Sequence, residues 1–396
     1  MNASNQSIVI VSATRTAVGS FGGGLSSKPA HDLGSTLIKK IATSTNIDLA
    51  EIDEVILGQV LTAGQGQNPA RQAAINAGIP DNKTALIVNQ LCGSGLRAVA
   101  MGMQQLALRD ADVIIAGGQE NMSLSTHCAH LRNGTKMGDV KLKDTMITDG
   151  LNDAFYRYHM GITAENVAKK FQISRDSQDE FALNSQIKAA AAQIAGKFKE
   201  EITGINVSSR KSEAIFEQDE YIRHNVTEES IKKLNAAFKS GGTVTAANAS
   251  GLNDGAAIVL MMSEKEAIKR NLTPIARIAS WSTAGVSPEL MGTGPIPSST
   301  EALRKAGWKA NDLDLVEANE AFAAQAIAVN QEMGWDPKIV NVNGGAIAIG
   351  HPIGASGCRI LVTLLHEMKR NSLSKGLATL CIGGGMGVAL TVEGNF

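Results

Sequence analysis

The chain has 396 residues, and its 37 lysines and arginines nearly balance 38 aspartates and glutamates, for a formal net charge of −1. This length suits two or three domains with a large buried core, and the near-neutral balance excludes a whole-molecule attraction to nucleic acid or to an anionic membrane. No apolar run approaches the roughly 18 residues of a membrane span, and the four cysteines lack C-x-x-C spacing, which argues against a zinc site. The start, Met1–Ser7, is too short and polar for a signal peptide, so we expect a cytoplasmic protein with free thiols and no metal.

The first predicted unit is a strand, a glycine-rich turn and a helix, with Cys92 in the turn. Glu54–Gly58 is one apolar strand and a second begins at Ala85, before the turn. Apolar residues then recur at helical spacing: Leu96, Val99, Ala100, Met103, Leu106 and Ala107. The N–H groups at a helix N-terminus favour a thiolate, so Cys92 is a candidate nucleophile, although a cysteine that only fills space is an alternative.

The middle of the chain, from about residue 121 to 249, differs in character from what surrounds it. No proline occurs between Pro80 and Pro274, which permits long helices, predicted over Gly161–Phe171 and Asp176–Lys197. A basic cluster stands early in the segment: Arg132, Lys136, Lys141 and Lys143. Taken alone, such a cluster indicates a solvated surface loop.

The last third of the chain repeats the pattern of the first. Strands are predicted over Leu313–Ala318 and Ile339–Val342, followed by a glycine-rich connection that carries His351 and then by a helix. The tetrapeptide Ser94-Gly-Leu-Arg97 recurs as Ser356-Gly-Cys-Arg359, and the apolar strands Asp112–Gly118 and Leu377–Gly385 follow the two copies. Several paired elements in one order indicate an internal duplication, and hence two similar α/β halves.

Four chemically capable side chains follow or end these predicted strands. Cys92 follows a strand in the first half, and Asn319, His351 and Cys381 follow or end strands in the second. Ligands of open α/β sheets collect at the carboxyl ends of the strands, so we expect these groups to converge if the halves pack side by side. A nucleophile with a nearby base is the recurring arrangement for covalent acyl transfer.

Four sequence blocks resemble the signature blocks of the thiolases. They are Cys92-Gly-Ser-Gly, Asn319-Glu-Ala-Phe322, the glycine-rich run from Asn343 through His351 to Gly357, and Cys381-Ile-Gly-Gly-Gly385. The likeness runs nearly end to end, and within the family it is greatest to bacterial acetyl-CoA acetyltransferases. It implies an α/β fold of two duplicated halves in five layers (αβαβα) with an inserted loop domain. The implied limits are 1–120, completed by about 250–270, for the N-terminal half, 121–249 for the insert and 271–396 for the C-terminal half.

The chemistry expected of these residues is an acetyl transfer in two steps. Cys92 would attack the thioester of acetyl-CoA, His351 would take the thiol proton, and Cys381 would take a proton from the methyl group of a second acetyl-CoA. The resemblance implies two oxyanion sites, one made by His351 with a water held by Asn319 and one by the backbone N–H groups of Cys92 and Gly383. The products would be acetoacetyl-CoA and CoA; no metal or separate cofactor is expected, because coenzyme A is itself substrate and product.

The resemblance also implies a tunnel for the coenzyme. Its matched positions are Leu151, His159, Met160, Arg223, Ser230, Ala246, Ser250, Ala321 and Phe322. Met160 and Phe322 would narrow the acyl pocket in favour of acetyl and acetoacetyl groups. Arg223 would lie near the nucleotide, unless it is only an exposed arginine.

Two positions depart from the family pattern, and several functions stay open. Ala247 stands where the family has glycine, and Met386 where it has a polar residue, which bears on fine specificity rather than on reaction class.

The resemblance further implies a homotetramer, a dimer of dimers, whose subunits meet through the insert. The alternatives are a degradative 3-ketoacyl-CoA thiolase of broader chain length, with a role in fatty-acid metabolism, and a non-catalytic acyl-CoA or lipid carrier. A decarboxylating ketosynthase is less favoured, because it has no use for the second thiol.

Overall fold

The structure is a computed structural model that describes residues 6–207 and 214–394. Predictions that touch residues 1–5, 208–213 or 395–396, including the outer limits of the domains, lie partly outside the described residues. The strands are β1 (Ile8–Arg15), β2 (Gly19–Ser20), β3 (Glu54–Gly58), β4 (Thr84–Val88), β5 (Val113–Asn121), β6 (His127–Cys128), β7 (Lys143–Asp144), β8 (Ile205–Asn206), β9 (Ile215–Phe216), β10 (Asn253–Ser263), β11 (Ala276–Gly285), β12 (Leu315–Ala318), β13 (Lys375–Ile382) and β14 (Met386–Gly394).

The helices account for most of the remaining regular structure. They are α1 (Ala30–Thr45), α2 (Pro69–Ala77), α3 (Ser94–Leu108), α4 (Met160–Lys170), α5 (Arg175–Ile194), α6 (Glu228–Lys232), α7 (Glu264–Lys269), α8 (Pro295–Ala306), α9 (Ala323–Met333), α10 (Ala346–Ile349) and α11 (Ser356–Asn371). Short 3-10 turns cover Leu49–Glu51, Pro288–Thr293 and Ala310–Asp312, and a π-helical turn covers Met146–Leu151. Within the described residues, no helix combines the length and the apolar character that crossing a membrane requires.

One large sheet runs through both halves of the molecule. Its strand order is β12-β13-β14-β11-β1-β10-β5-β3-β4, with β2 added beside β10. Each half contains a parallel pair of strands, which is β3 with β5 in the first half and β12 with β13 in the second, and each pair continues into antiparallel strands. The two halves meet where β1 pairs with β11, over Val9 and Ile10 only. This matched order confirms the predicted fold of duplicated α/β halves.

The helices and the sheet form five layers. The inner faces of both sheet halves pack on α3 and α11, through residues such as Val99 and Leu364. On the outer faces, α1 and α2 cover the N-terminal half, while α8 and α9 cover the C-terminal half. Because α11 touches sheet on both sides, twelve of its sixteen residues are buried, and they include polar side chains such as Arg359, Thr363 and Glu367.

The two central helices touch at their N-terminal ends through glycines. A Cβ on Gly357 would lie 2.5 Å from the backbone nitrogen of Leu96, and a Cβ on Gly95 would lie 3.0 Å from that of Cys358. Only glycine permits such backbone contact. Since Cys92 stands just before α3 and His351 just before α11, the contact draws their two turns together.

One predicted strand is wrong. Ile339–Val342 was expected to pair as a strand, but it contributes a single bridge, between Val340 and Val316. Asn341 takes a positive φ of 45° and its side chain does the pairing instead: Oδ1 accepts the N–H of Ala318 at 2.9 Å and Nδ2 donates to the Ala318 carbonyl at 2.8 Å. The second predicted helix of the insert also ends earlier, at Ile194 rather than Lys197.

The chain between β5 and β10 leaves the sheet and returns to it. A buried arginine of β1 anchors this segment: Arg15 Nε donates to Glu201 at 2.7 Å, and its two terminal nitrogens donate to Asp219 at 2.6 and 2.8 Å. All three side chains are buried, so their charges and hydrogen bonds must satisfy one another. The limits of the inserted domain remain a prediction.

Replacing Gly357 by alanine tests the helix contact. The added methyl meets backbone, so α3 and α11 must separate, and we expect the free energy of unfolding to fall by about 2 kcal/mol. Urea denaturation at a fixed protein concentration measures this. Gly102→Ala is the matched control, because its methyl meets the end of the Met261 side chain, which can turn aside; equal losses in the two variants would contradict the account.

Candidate active site

A cavity of about 370 Å³ opens where the two halves and the inserted segment meet. Three of the predicted catalytic side chains line it, Cys92, His351 and Cys381, together with the backbone of Gly383. The other lining residues are Met122, Ile147, Gly150, Leu151, His159, Met160, Tyr221, Ala237, Phe238, Ala246, Ala249, Ser250, Gly251, Leu252, Met291, Ala321, Phe322 and Ile353. Most are apolar, and among the reactive groups His351 and Cys381 are buried while Cys92 is partly exposed.

Cys92 stands in a tight turn between β4 and α3. Leu91 takes a positive φ of 48°, and Ser94 closes the turn by donating to the Leu91 carbonyl at 2.6 Å and accepting the Gln90 N–H at 2.8 Å. Burial raises the pKa of the Cys92 thiol to about 11, against the opposing effect of the N–H groups of Gly383 and of Cys92 itself. The helix N-terminus predicted from sequence is present, but burial outweighs it and the thiol rests protonated.

His351 is held from its backbone and from one edge of its ring. Asn253 Oδ1 accepts the His351 N–H at 2.8 Å, and the imidazole Nδ1 lies 2.5 Å from Ser356 Oγ. Burial, followed by the positive charge of Arg359, lowers the pKa of His351 to about 3. The ring is therefore neutral at physiological pH, and its other nitrogen, Nε2, has no hydrogen-bond partner among the described protein residues.

Cys381 and Gly383 lie at the end of β13. Burial and the neighbouring Cys92 both raise the pKa of the Cys381 thiol well above its ordinary value. The Gly383 N–H is directed at the Cys92 sulfur, and its part in an oxyanion site stays a prediction. A side chain at Gly383 would lie 3.0 Å from Leu91 and 3.5 Å from the Met160 sulfur, so glycine keeps this backbone close to the cavity.

Asn319 lies beside this group without lining the cavity. It follows β12, its N–H donates to the Thr379 carbonyl at 2.9 Å, and its side chain is buried. Neither atom of its amide has a hydrogen-bond partner among the described protein residues. Such an orphaned buried amide suits an ordered water, and the predicted water-holding role of Asn319 stays a prediction.

Glu120 is a buried carboxylate that the sequence analysis missed. It accepts the N–H groups of Val60 at 2.9 Å, Leu61 at 3.2 Å and Gly354 at 3.0 Å, and so joins the end of β5 to the loop that carries His351. Burial raises the pKa of Glu120 to about 7, against these three hydrogen bonds. The available signal was the polar run Gln-Glu-Asn that directly follows an apolar strand.

Most of the predicted coenzyme-binding residues line the same cavity. They are Leu151, His159, Met160, Ala246, Ser250, Ala321 and Phe322. The segment that precedes β10 and the segment between β12 and α9 meet here. Ala249 forms an isolated β-bridge with Phe322, and the Ser250 N–H donates to the Ala321 carbonyl at 3.0 Å.

Phe238 and Met291 are two of the apolar lining residues that were not predicted. Phe238 stacks on the His159 ring with centroids 4.6 Å apart and meets Phe322 edge-on. Met291 packs with Met160 and Phe322 in the same buried cluster. No pattern marked either residue, since Phe238 lies in an irregular segment and Met291 in a short 3-10 turn.

Arg223 and Ser230 lie in a smaller, adjacent cavity. Tyr221 and Ala246 line both cavities, so the two adjoin, and Ala247 lines only the smaller one. Arg223 is exposed and stacks against Tyr221 at 5.5 Å. The Ser230 hydroxyl already serves the capping box of α6 with Thr227, which gives it a structural use besides the predicted one.

The two departures from the family pattern occupy different places. Ala247 faces the smaller cavity beside Arg223. Met386 begins β14 and packs against the central core. Only Ala247 therefore bears on a surface where a coenzyme could lie.

The protonation of Cys92 is open to direct test by alkylation. With its pKa raised to about 11, the rate of modification by iodoacetamide should rise about tenfold per pH unit from pH 7 to pH 10, because only the thiolate reacts. A Cys128→Ser background removes the exposed competing thiol. A rate that is already constant at pH 7 would show that the resting group is a thiolate.

Comparison with known proteins agrees with this geometry. Family models described as the thiolase N-terminal domain and the thiolase C-terminal domain match residues 8–265 and 272–394. The chain is 67% identical over 390 residues to the acetyl-CoA acetyltransferase of Rhizobium meliloti (strain 1021), covering 98% of this chain and 99% of that protein. It is 65% identical over 390 residues, with the same coverage, to the acetyl-CoA acetyltransferase of Shinella zoogloeoides.

Solved structures agree as well. The Bacillus anthracis acetyl-CoA acetyltransferase superposes with a TM-score of 0.96 at 41% identity, covering 98% of this chain and 99% of that one. Human mitochondrial 3-ketoacyl-CoA thiolase in complex with CoA gives a TM-score of 0.95 at 40% identity, covering 99% of this chain and 98% of that one. The chain therefore belongs to the thiolase family.

Proposed function

We propose that this protein is an acetyl-CoA C-acetyltransferase that condenses two acetyl-CoA molecules to acetoacetyl-CoA and CoA, and catalyses the reverse thiolysis. The observation that carries the proposal is one apolar cavity lined by two thiols and a neutral imidazole. Identities of 67% and 65% to proteins named acetyl-CoA acetyltransferase support it. Coenzyme A serves as substrate and product, and the reaction proceeds without a metal or redox cofactor.

In the first step, the Cys92 sulfur attacks the thioester carbon of one acetyl-CoA while its proton passes to His351 Nε2. Cleavage of the carbon–sulfur bond releases the CoA thiolate, which takes the proton of Cys381. The products are acetyl-Cys92, CoA, a Cys381 thiolate and a protonated His351. Both cysteines rest as thiols, so each has a proton to give.

In the second step, the Cys381 thiolate takes a proton from the methyl group of a second acetyl-CoA. The resulting enolate oxygen is stabilised by the protonated His351 and by the water that we assign to Asn319. The enolate carbon attacks the acetyl group on Cys92, whose oxygen lies at the N–H groups of Cys92 and Gly383. The Cys92 sulfur leaves and recovers its proton from His351, so that Cys92, His351 and Cys381 all return to their resting protonation states.

The shape of the cavity favours short acyl groups. Met160, Met291 and Phe322 pack together beside Cys381 in one buried cluster. A longer acyl chain would have to displace these side chains from a close-packed setting. The pantetheine arm would run past His159 and Phe238 toward Arg223, with the nucleotide near the surface.

We propose further that the protein acts in the cytoplasm as a homotetramer formed through the loop of residues 124–143. Apolar side chains on this loop are exposed: Leu131, Met137, Val140 and Leu142 are 54%, 93%, 43% and 62% exposed. Such apolar exposure on the loop that the β6–β7 pair closes suits burial against another copy. The basic residues of the same loop would then lie at the rim of that contact.

Because Cys92 and Cys381 have different proposed roles, replacing one or the other should cause different defects. Incubation with radiolabelled acetyl-CoA should leave an acid-stable thioester on the native protein and on Cys381→Ala, because the CoA thiolate can leave unaided. Condensation by Cys381→Ala should fall about 10³-fold, since the carbon acid loses its base. Cys92→Ala should retain no label, with Cys358→Ala as the control for loss of a buried thiol.

Two results would contradict this assignment. One is label retained by Cys92→Ala at the native level. The other is an equal loss of labelling and condensation in Cys381→Ala.

The tetramer is tested by Leu142→Glu. A charge at the contact should convert tetramers to dimers in sedimentation-velocity experiments, while each dimer keeps its activity. Ile268→Glu is the matched control, because Ile268 is also exposed, at 69%, and lies on α7 away from this loop. A Leu142→Glu protein that remains tetrameric would contradict the proposal.

A further inference from the structure

Ser356 holds the Nδ1 edge of the His351 ring. Its hydroxyl oxygen lies 2.5 Å from His351 Nδ1 and 2.8 Å from the carbonyl oxygen of Pro352. Ser356 and His351 are both buried, with 1% and 6% of their surface exposed, so within the cavity wall these contacts are not exchanged for water. The single proton of the hydroxyl must serve one neighbour or the other.

The position of that proton follows from the two neighbours. A carbonyl oxygen can only accept, and two oxygens 2.8 Å apart in a buried place need a hydrogen between them. The Ser356 proton therefore points to Pro352, and the oxygen lone pair faces Nδ1. Nδ1 must then carry a hydrogen, which leaves the lone pair of the neutral ring on Nε2.

The turn that carries these groups is itself fixed. The Pro352 carbonyl also accepts the N–H groups of Ala355 and Ser356, each at 2.9 Å. The His351 N–H is held by Asn253 at 2.8 Å. Neither the carbonyl nor the histidine backbone can turn without breaking several buried hydrogen bonds.

We propose that Ser356 is a positioning residue that fixes His351 in the Nδ1–H tautomer, so that Nε2 is the basic nitrogen of the site. This inference rests on the proposed acetyl transfer only for its kinetic consequence. The same hydrogen-bond arrangement serves the neutral ring and the protonated ring, because Nδ1 donates to Ser356 in both. His351 can thus gain and lose a proton at Nε2 during the cycle without reorganising its support.

The duplicated half makes a different use of the equivalent serine. Ser94 holds the same place in the repeated tetrapeptide and also donates to a carbonyl of its own turn, that of Leu91 at 2.6 Å. Its oxygen accepts a backbone N–H, that of Gln90, at 2.8 Å. In the second half, the imidazole Nδ1 takes the place of that backbone donor.

The test uses Ser356→Ala with Ser298→Ala as its matched control. Ser298 is an equally buried serine near the start of a helix, and its hydroxyl donates to a carbonyl four residues earlier, that of Gly294, at 2.9 Å. With ¹⁵N-labelled histidine, the NMR signals of His351, assigned by their loss in His351→Asn, should show a protonated Nδ1 and an unprotonated Nε2 in the native protein and in Ser298→Ala. In Ser356→Ala we expect a mixture of tautomers.

The kinetic consequence is a loss of kcat by about 10- to 100-fold in Ser356→Ala, the range typical of hydrogen-bond partners that orient metal-ligating histidines, with KM nearly unchanged. Ser298→Ala should keep native kcat. A proton on Nε2 in the native neutral ring, or an unchanged His351 spectrum in Ser356→Ala, would overturn the inference. If the native protein does not catalyse acetyl transfer, only the proposed function is contradicted. The inference about Ser356 is tested separately, because NMR reports the tautomer of His351 in the absence of any reaction.

Discussion

The site depends on one steric constraint, the backbone contact between the N-terminal ends of α3 and α11. Gly95 and Gly357 have no side chains, so the two helices approach until backbone meets backbone. Each helix begins just after a turn that carries a reactive group, Cys92 in one and His351 in the other. The duplication supplies two similar turns, and the glycine contact brings them to one cavity, where β13 adds Cys381.

Burial then sets the protonation states of the groups that line that cavity. It raises the pKa of both thiols and lowers that of His351, so the resting groups are neutral. A neutral resting site avoids the cost of charges in an apolar enclosure. In the proposed mechanism, charge appears only as the thioester reacts, and it is stabilised by the Gly383 N–H, which is already in place, and by His351 after it has taken a proton. Ser356 and Asn253 hold that histidine by hydrogen bonds, which in the proposed mechanism keeps it oriented while its charge changes.

The sequence predicted those features that local patterns encode. Glycines at particular positions of the sequence mark each of these features: the duplicated halves, the turn at Cys92 and the glycine-rich loop at His351. What it missed depends on single side chains acting over distance. Asn341 replaces a strand by pairing with Ala318 through its amide, and Glu120 ties the β5 end to Gly354. Phe238 enters from an irregular segment and Met291 from a short 3-10 turn, where no periodicity marks an inward face. Burial also reversed the expected effect of the helix N-terminus on Cys92, because desolvation depends on the whole fold.

The central claim is that the sulfur atoms of Cys92 and Cys381 face one another across a single cavity. Phenylarsine oxide, which bridges two thiols that lie close together, tests this most directly in a Cys128→Ser background. The account predicts one arsenic per chain, bound through both Cys92 and Cys381 in mass spectra of the intact and digested protein, and protection by acetyl-CoA. Arsenic bound to neither thiol, or binding that survives the loss of either one, would contradict the account.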